Sequence, residues 1–327
     1  MATLKEKIVQ SWYQTSPLTI FLRPLSRLYE KVISFRKNFL TKRALKIQVP
    51  VIVIGNITVG GTGKTPLIMK LYEALKGEGF QPGIVSRGYL SQLSSDFPIL
   101  LKEHHGPEDV GDEPYMIYRR IKAPVMICKD RVKAIEALLT IMPSVNVILS
   151  DDGLQHYSMQ RDIEVAVIDG DRRFGNGELL PAGPLREPIS RLKSVDFAVC
   201  QGIPQGNELS MKLVGETLCA LNNPHLTQSL RDLKSMTVHA VAGIGHPERF
   251  FKNLSAHGLN VIPHPFPDHH LFQASDFDFK TMAPIIMTEK DAVKCMQLSI
   301  PNAWYLPVNA EVDPNLIQAI LRKLRHG

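Results

Sequence analysis

Cysteine is scarce and scattered. The 327-residue chain has four, Cys128, Cys200, Cys219 and Cys295, with no C-x-x-C spacing. That excludes a disulfide framework and a cysteine-built zinc site, and it fits buried thiols in a reducing compartment. Long apolar runs are missing as well. The longest uncharged stretch of the first 46 positions, residues 8–22, is interrupted by Gln10, Ser11, Gln14, Thr15, Ser16 and Pro17, which rules out a spanning helix there. It also lacks the clean apolar centre and small-residue cleavage site of a secretory signal. No internal repeat or low-complexity tract occurs. With 44% hydrophobic and 21% charged residues, the chain reads as globular, and its length suggests two domains.

Acidic residues are nearly absent from the first 46 positions, which hold ten Lys/Arg against only Glu6 and Glu30. The net +6 of the chain therefore resides in this arm, and the remainder is slightly acidic. Leu18, Leu22, Leu25, Tyr29, Val32 and Phe35 recur at three- and four-residue steps, with Arg23, Arg27, Lys31 and Lys37 mainly on the other side. A cationic, aromatic-bearing amphipathic helix over 18–39 suits an anionic membrane interface. Packing on the protein's own core with a solvated basic face is the alternative. Nucleic-acid binding is a third, disfavoured by the leucine and aromatic content.

Residues 51–54 are apolar and mostly β-branched, as in a buried parallel strand. They run into Gly55-Asn-Ile-Thr-Val-Gly-Gly-Thr-Gly-Lys-Thr-Pro. Thr58, Val59, Gly60, Gly61, Thr62, Gly63, Lys64 and Thr65 form a phosphate-binding loop, and a helix over 67–76 follows. Glycine backbone N–H groups can curl round an anion, Lys64 can reach the β- and γ-phosphates, and the Thr65 hydroxyl can ligate Mg²⁺. Thr58 stands where the generic motif has its first glycine. A ligand-free glycine-rich turn is the plainer reading, but strand, Gly-Lys-Thr and helix together favour a nucleotide.

Further strands are expected near 83–86, 124–128, 145–150, 163–169 and 195–201, alternating with helices, so the fold is α/β: a P-loop NTPase-like, doubly wound, mostly parallel sheet. The expected division is an arm at 1–46, a core at 47–210, a possible linker at 211–221 and a smaller α/β domain at 222–327. Asp151 and Asp152 follow an apolar strand, where one carboxylate can hold Mg²⁺ beside Thr65. Asp112 and Glu113 sit in a kinked turn; an acid there can accept a hydroxyl proton or merely cap a helix. Arg87, Arg131 and Arg186 lie at loop mouths suited to anions, although each alone reads equally as a surface ion pair. Gln155 and His156 continue the acidic loop.

The ordered motifs Gly55…Pro66, Ser86-Arg-Gly-Tyr, Val110-Gly-Asp-Glu-Pro, Asp151-Asp-Gly-Leu-Gln-His, Gly170-Asp, Phe174-Gly-Asn-Gly, Leu180-Pro-Ala-Gly-Pro-Leu-Arg-Glu-Pro, Phe266-Pro-Asp-His and Thr288-Glu-Lys-Asp-Ala-Val-Lys resemble the tetraacyldisaccharide 4′-kinases of lipid A biosynthesis. The resemblance runs from the basic arm to about residue 308. It implies ATP-dependent phosphorylation of the 4′-hydroxyl of an acylated glucosamine disaccharide, peripherally at the cytoplasmic face of the bacterial inner membrane. No nucleic acid and no obligate protein partner are implied. By matching motif, Asp112 is the catalytic acid/base with His269, residues 58–65 hold ATP, and Thr65 with Asp151 or Asp152 holds Mg²⁺. Arg87, Tyr89, Glu113, Arg131, Gln155, His156, Arg186 and Glu187 are implied contacts to substrate or phosphate.

Overall fold

The computed structural model describes residues 4–14, 16–89, 91–93 and 96–326. Its first sheet runs, in spatial order, β15 (Asn309–Val312), β8 (Leu209–Val214), β7 (Phe197–Gln201), β6 (Ile163–Asp169), β1 (Val51–Gly55), β5 (Val147–Asp151), β2 (Pro82–Ser86), β4 (Val125–Ile127) and β3 (Ile99–Leu100). Only β15 and β3, at the two edges, run antiparallel to their neighbours. Central strand β1 is buried along its whole length. Ile52 and Ile54 point into one apolar layer and Val51 and Val53 into the other, because successive side chains of a strand face opposite ways. Helices α3 (Lys64–Gly77), α5 (Asp112–Ile121) and α9 (Pro314–His326) cover the first face, and α6 (Arg131–Ile141) covers the second. The short α4 (Pro107–Val110) leads into α5.

The second sheet has the order β10 (Thr227–Ser229), β9 (Thr217–Ala220), β14 (Ala303–Leu306), β13 (Ile285–Thr288), β11 (Thr237–Ala242) and β12 (Asn260–Pro265). Its strands β12, β11, β13 and β14 are parallel neighbours, and α7 (Pro247–Ala256) and α8 (Glu289–Cys295) connect them. Sheet membership departs from the expected division at 210 and 222. Strand β8 extends the first sheet to Val214, so the chain changes sheets only at Gly215 and Glu216. The C-terminal segment then returns: β15 pairs with β8, and Ala310, Leu316, Ile320 and Leu321 enter the first core. An unpaired β8 edge and an open apolar face beside Met211 are what this return covers.

The N-terminal arm forms α1 (Leu4–Ser11) and α2 (Pro17–Thr41), the latter capped by the Ser16 hydroxyl. Among the described residues no helix is long and apolar enough to cross a membrane. Helix α2 carries two apolar arcs rather than the single one expected. Leu22, Tyr29 and Ile33 pack toward the protein, along with buried Thr19 and Ser26. Ser26 Oγ donates to Leu179 O (2.8 Å) and accepts from Ala182 N (3.0 Å), and the Tyr29 hydroxyl donates to Arg186 O (3.1 Å). Ile20, Phe21, Leu25, Leu28, Val32, Phe35 and Phe39 face outward, with Phe21 and Phe35 more than 70% exposed.

Candidate active site

The phosphate-type loop lies at the carboxyl end of β1, where glycines permit its shape. Gly60 and Gly63 adopt φ of +102° and +89°, conformations that side chains rarely take. The loop is held from behind: Val59 N donates to Pro184 O (2.9 Å), and Thr58 bridges Leu185. Thr62 is buried, and Thr65 is buried in the first turn of α3. Lys64 Nζ donates to Asn56 Oδ1 (3.2 Å) and lies 3.4 Å from Asp152.

Strand β5, paired beside β1, delivers Asp151 opposite Ile54. The Asp151 carboxylate accepts from Ser86 Oγ (2.9 Å) through one oxygen, while the other is buried and has no hydrogen-bond partner among the described residues. Burial, then the charges of Glu113 and Asp152, pushes its pKa up to about 6. Burial acts the same way on Asp152, but Lys64 and Arg186 outweigh it and hold that carboxyl well below the usual range. Arg186 Nη1 donates to Asp152 at 2.8 Å and is 3.5 Å from Gln155. A buried Asp151 carboxylate oxygen, unpartnered among the described residues, beside the ionised Asp152 carboxylate is the start of a hard-oxygen donor set that fits Mg²⁺.

Across the cleft, Gly111 (φ +92°) starts α5. A Cβ on it would stand 2.8 Å from Tyr89 O, so only glycine lets the Tyr89 loop and the helix start approach so closely. Asp112 therefore sits at the first residue of α5, and its carboxylate is 3.1 Å from His269 Nδ1. His269 belongs to the second-sheet turn after β12 and has φ of +63°. Its ring lies 5.4 Å from that of exposed Tyr89. The two residues flanking this pair are joined as well. Lys290 Nζ, near the start of α8, reaches Glu113 (3.1 Å) and Asp268 (3.2 Å). Lys290 lowers the Glu113 pKa against the effect of burial, with Lys64 adding to it. The Asp112–Glu113 turn thus shares its electrostatic surroundings with the loop lysine.

Other expected site residues fall in three places. Arg87 is exposed directly after β2, and its charge bears on half-buried His156. Burial first, then Arg131 and Arg87, lower His156 to about 3, leaving its ring neutral near pH 7. Gln155 donates to Asn56 O (3.1 Å) and Glu187 (2.8 Å), bracing the loop. Arg131 does not line the cleft. It is 1% exposed and donates to Cys128 O (2.8 Å) and Asp151 O (2.9 Å), so it supports the acidic strand end from inside. Burial lowers its pKa to about 10. Glu187 is also turned inward, accepting from Gln155 and the Tyr157 hydroxyl and facing Arg191 at 3.6 Å. Sequence reasoning missed Asn56, Ser86 and Lys290 as site residues, although all three stand inside or beside motifs it singled out.

This arrangement brings a cationic, phosphate-type loop and an acid–imidazole pair together where the two sheets meet. The family model of tetraacyldisaccharide-1-P 4′-kinase matches residues 18–325. A tetraacyldisaccharide 4′-kinase of Methylobacillus flagellatus is 44% identical over 319 residues, covering 96% of this chain and 95% of that protein. One from Nitrosococcus oceani is 42% identical over 330 residues, covering 100% and 97%. The crystal structure of LpxK from Aquifex aeolicus in complex with ATP superposes with a TM-score of 0.76 at 31% identity, covering 94% of this chain and 99% of that one. Agreement over essentially the whole length, in sequence and in fold, places the chain in the tetraacyldisaccharide-1-P 4′-kinase family.

Proposed function

We propose that the protein transfers the γ-phosphate of ATP to the 4′-hydroxyl of a tetraacylated glucosamine disaccharide 1-phosphate, using Asp112 with His269 to accept the hydroxyl proton. The observation that carries this reading is the 3.1 Å Asp112–His269 contact, made between residues of the two sheet layers, with the neighbouring Glu113 in the field of Lys64. A carboxylate at one imidazole nitrogen orients the ring and stabilises its charge when the pair takes up a proton. The freed sugar oxygen forms a bond to the γ-phosphorus as the bond to the β–γ bridging oxygen breaks, leaving ADP. Lys64 and Arg186 place positive charge where the phosphoryl oxygens pass, and loop N–H groups hold the remaining phosphates. Thr65, Asp151 and Asp152 would hold Mg²⁺, which neutralises phosphate charge when bound. Neutral His156 and the Arg87–Tyr89 rim contact the sugar.

The acceptor is a lipid, so the enzyme works as a peripheral protein on an anionic bilayer, the inner membrane's cytoplasmic face. The outward arc of α2 supplies apolar area, and neighbouring Arg27 and Lys31 supply charge. The reading is tested by following transfer from ATP to the acylated disaccharide in detergent micelles with Asp112→Ala and His269→Ala. Each variant should lose most of the turnover while still binding ATP. Full turnover in either would remove that residue from the reaction.

A further inference from the structure

Four separate parts of the chain meet at one guanidinium. Arg172, just past β6, donates through Nε to Asp169 Oδ2 (2.9 Å) at the end of that strand. Its Nη1 donates to Gly245 O (2.9 Å), in the second-sheet turn before α7, and its Nη2 donates to Gly61 O (3.1 Å), in the phosphate-type loop. The Tyr13 ring of the N-terminal arm lies 5.6 Å away. The fit is close on every side. A Cβ on Gly60 would stand 3.2 Å from Arg172 Nη2, and one on Gly245 would stand 3.1 Å from Gly61 N. The second-sheet turn is therefore seated directly on the loop.

The anchor itself is braced from the second sheet. Arg249 of α7 donates to the other oxygen of Asp169, to Asp171 (2.9 Å) and to Gln201 Oε1 (2.5 Å). Gln201 Oε1 in turn lies 3.1 Å from the Cβ position of Gly63. Asp169, Asp171 and His246 approach one another as a ligand set would. Both Asp169 oxygens are nevertheless taken by guanidinium groups, and a metal cation there would meet two fixed positive charges. The cluster reads as an anchor for the two arginines, not as a metal site.

A loop that binds phosphate through its N–H groups must turn its carbonyls outward. Gly60 and Gly61 give the loop that freedom and equally the freedom to lose the shape, since neither carries a Cβ to block peptide rotation. We propose that Arg172 is a positioning residue for the nucleotide: it holds the Gly61 carbonyl out of the phosphate site and makes that orientation depend on the seating of the second sheet. The inference rests on residues 58–65 holding the ATP phosphates and is independent of which residue accepts the proton.

The test compares KM for ATP with KM for the lipid acceptor in Arg172→Ala and Arg172→Lys. Both variants should raise the ATP KM at least about tenfold, the scale of a lost charge-assisted hydrogen bond. The acceptor KM should stay within twofold of wild type. Millimolar guanidinium should restore part of the ATP affinity in Arg172→Ala but not in Arg172→Lys, whose side chain fills the space. Deuterium uptake in the peptide covering 59–66 should rise while that of β1 does not. If Arg172→Ala proves too unstable to isolate, Arg172→Lys, which keeps a charge for Asp169, gives the same comparison. An unchanged ATP KM overturns the inference, and so does a parallel loss of both KM values with thermal stability, which marks a merely structural role. Lys64→Ala separates the two claims: if it leaves ATP binding intact, the loop assignment fails instead.

Discussion

His269 owes its usefulness to a residue on another sheet, and so does Asp112. Two groups that act as one unit are not additive when removed. Asp112→Ala and His269→Ala should each cost most of the rate, and the double variant should cost little more; additive losses on a logarithmic scale, measured by single-turnover kinetics, would show independent action. Lys64→Ala should abolish transfer with the fold intact, because it removes a positive charge 3.4 Å from Asp152 that the transferring phosphoryl group needs. Arg131 makes a different prediction. Its loss removes two buried charge-assisted bonds to the Cys128 and Asp151 carbonyls, so Arg131→Ala should destabilise the fold by about 2–4 kcal/mol in urea unfolding. That inward role was not legible in Lys129-Asp130-Arg131, where local spacing suits a surface anion site equally well. That Asp112 and His269 meet was legible only through motif resemblance, since nothing local joins positions 157 residues apart.

At the scale of elements, α2 shows what periodicity carries and what it omits. The recurrence of apolar residues announces a helix with an apolar side, but two adjacent arcs share that pattern. Only the partner surface decides between them. The inward arc includes small Ser26, which fits close against Leu179 and Ala182, whereas Phe21 and Phe35 remain outside. The basic residues divide in the same way. Arg23 pairs with Glu178, and Lys37 lies half-buried over the Tyr157 ring, so neither is free to serve a membrane fully. Reversing Arg27 and Lys31 to Glu, with Phe21, Leu28 and Phe35 changed to Ser, should release the protein from anionic vesicles without altering ATP binding. Each basic residue near the surface contributes about 1 kcal/mol, and salt should weaken wild-type binding only in part. Cosedimentation equal to wild type would show that the helix is not the anchor.

For the whole molecule, the central parallel strands and the loop after β1 were readable because buried strands and glycine-rich turns are local features. The return of β15 and α9 to the first sheet was not, because it is set by pairing with β8 far away in sequence. Removing residues 308–327 should therefore expose the β8 edge and the core around Met211 and Leu316, giving an aggregating protein in place of a trimmed second domain. Light scattering after expression checks this. The joint between the sheets also has a chemical consequence, since Arg120 binds Glu289 (2.7 Å) and Val308 O (2.8 Å) beside the Lys290 cluster. The Asp112–His269 contact exists only while the two sheets are seated on each other. The most direct measurement is phosphorus NMR of the lipid product after incubating the protein with ATP, Mg²⁺ and a tetraacylated glucosamine disaccharide 1-phosphate. One new phosphomonoester is expected, on the 4′-oxygen, absent with Lys64→Ala and with Asp112→Ala. ATP consumed without a phosphorylated lipid, or a phosphate on any other oxygen, would contradict the proposed function.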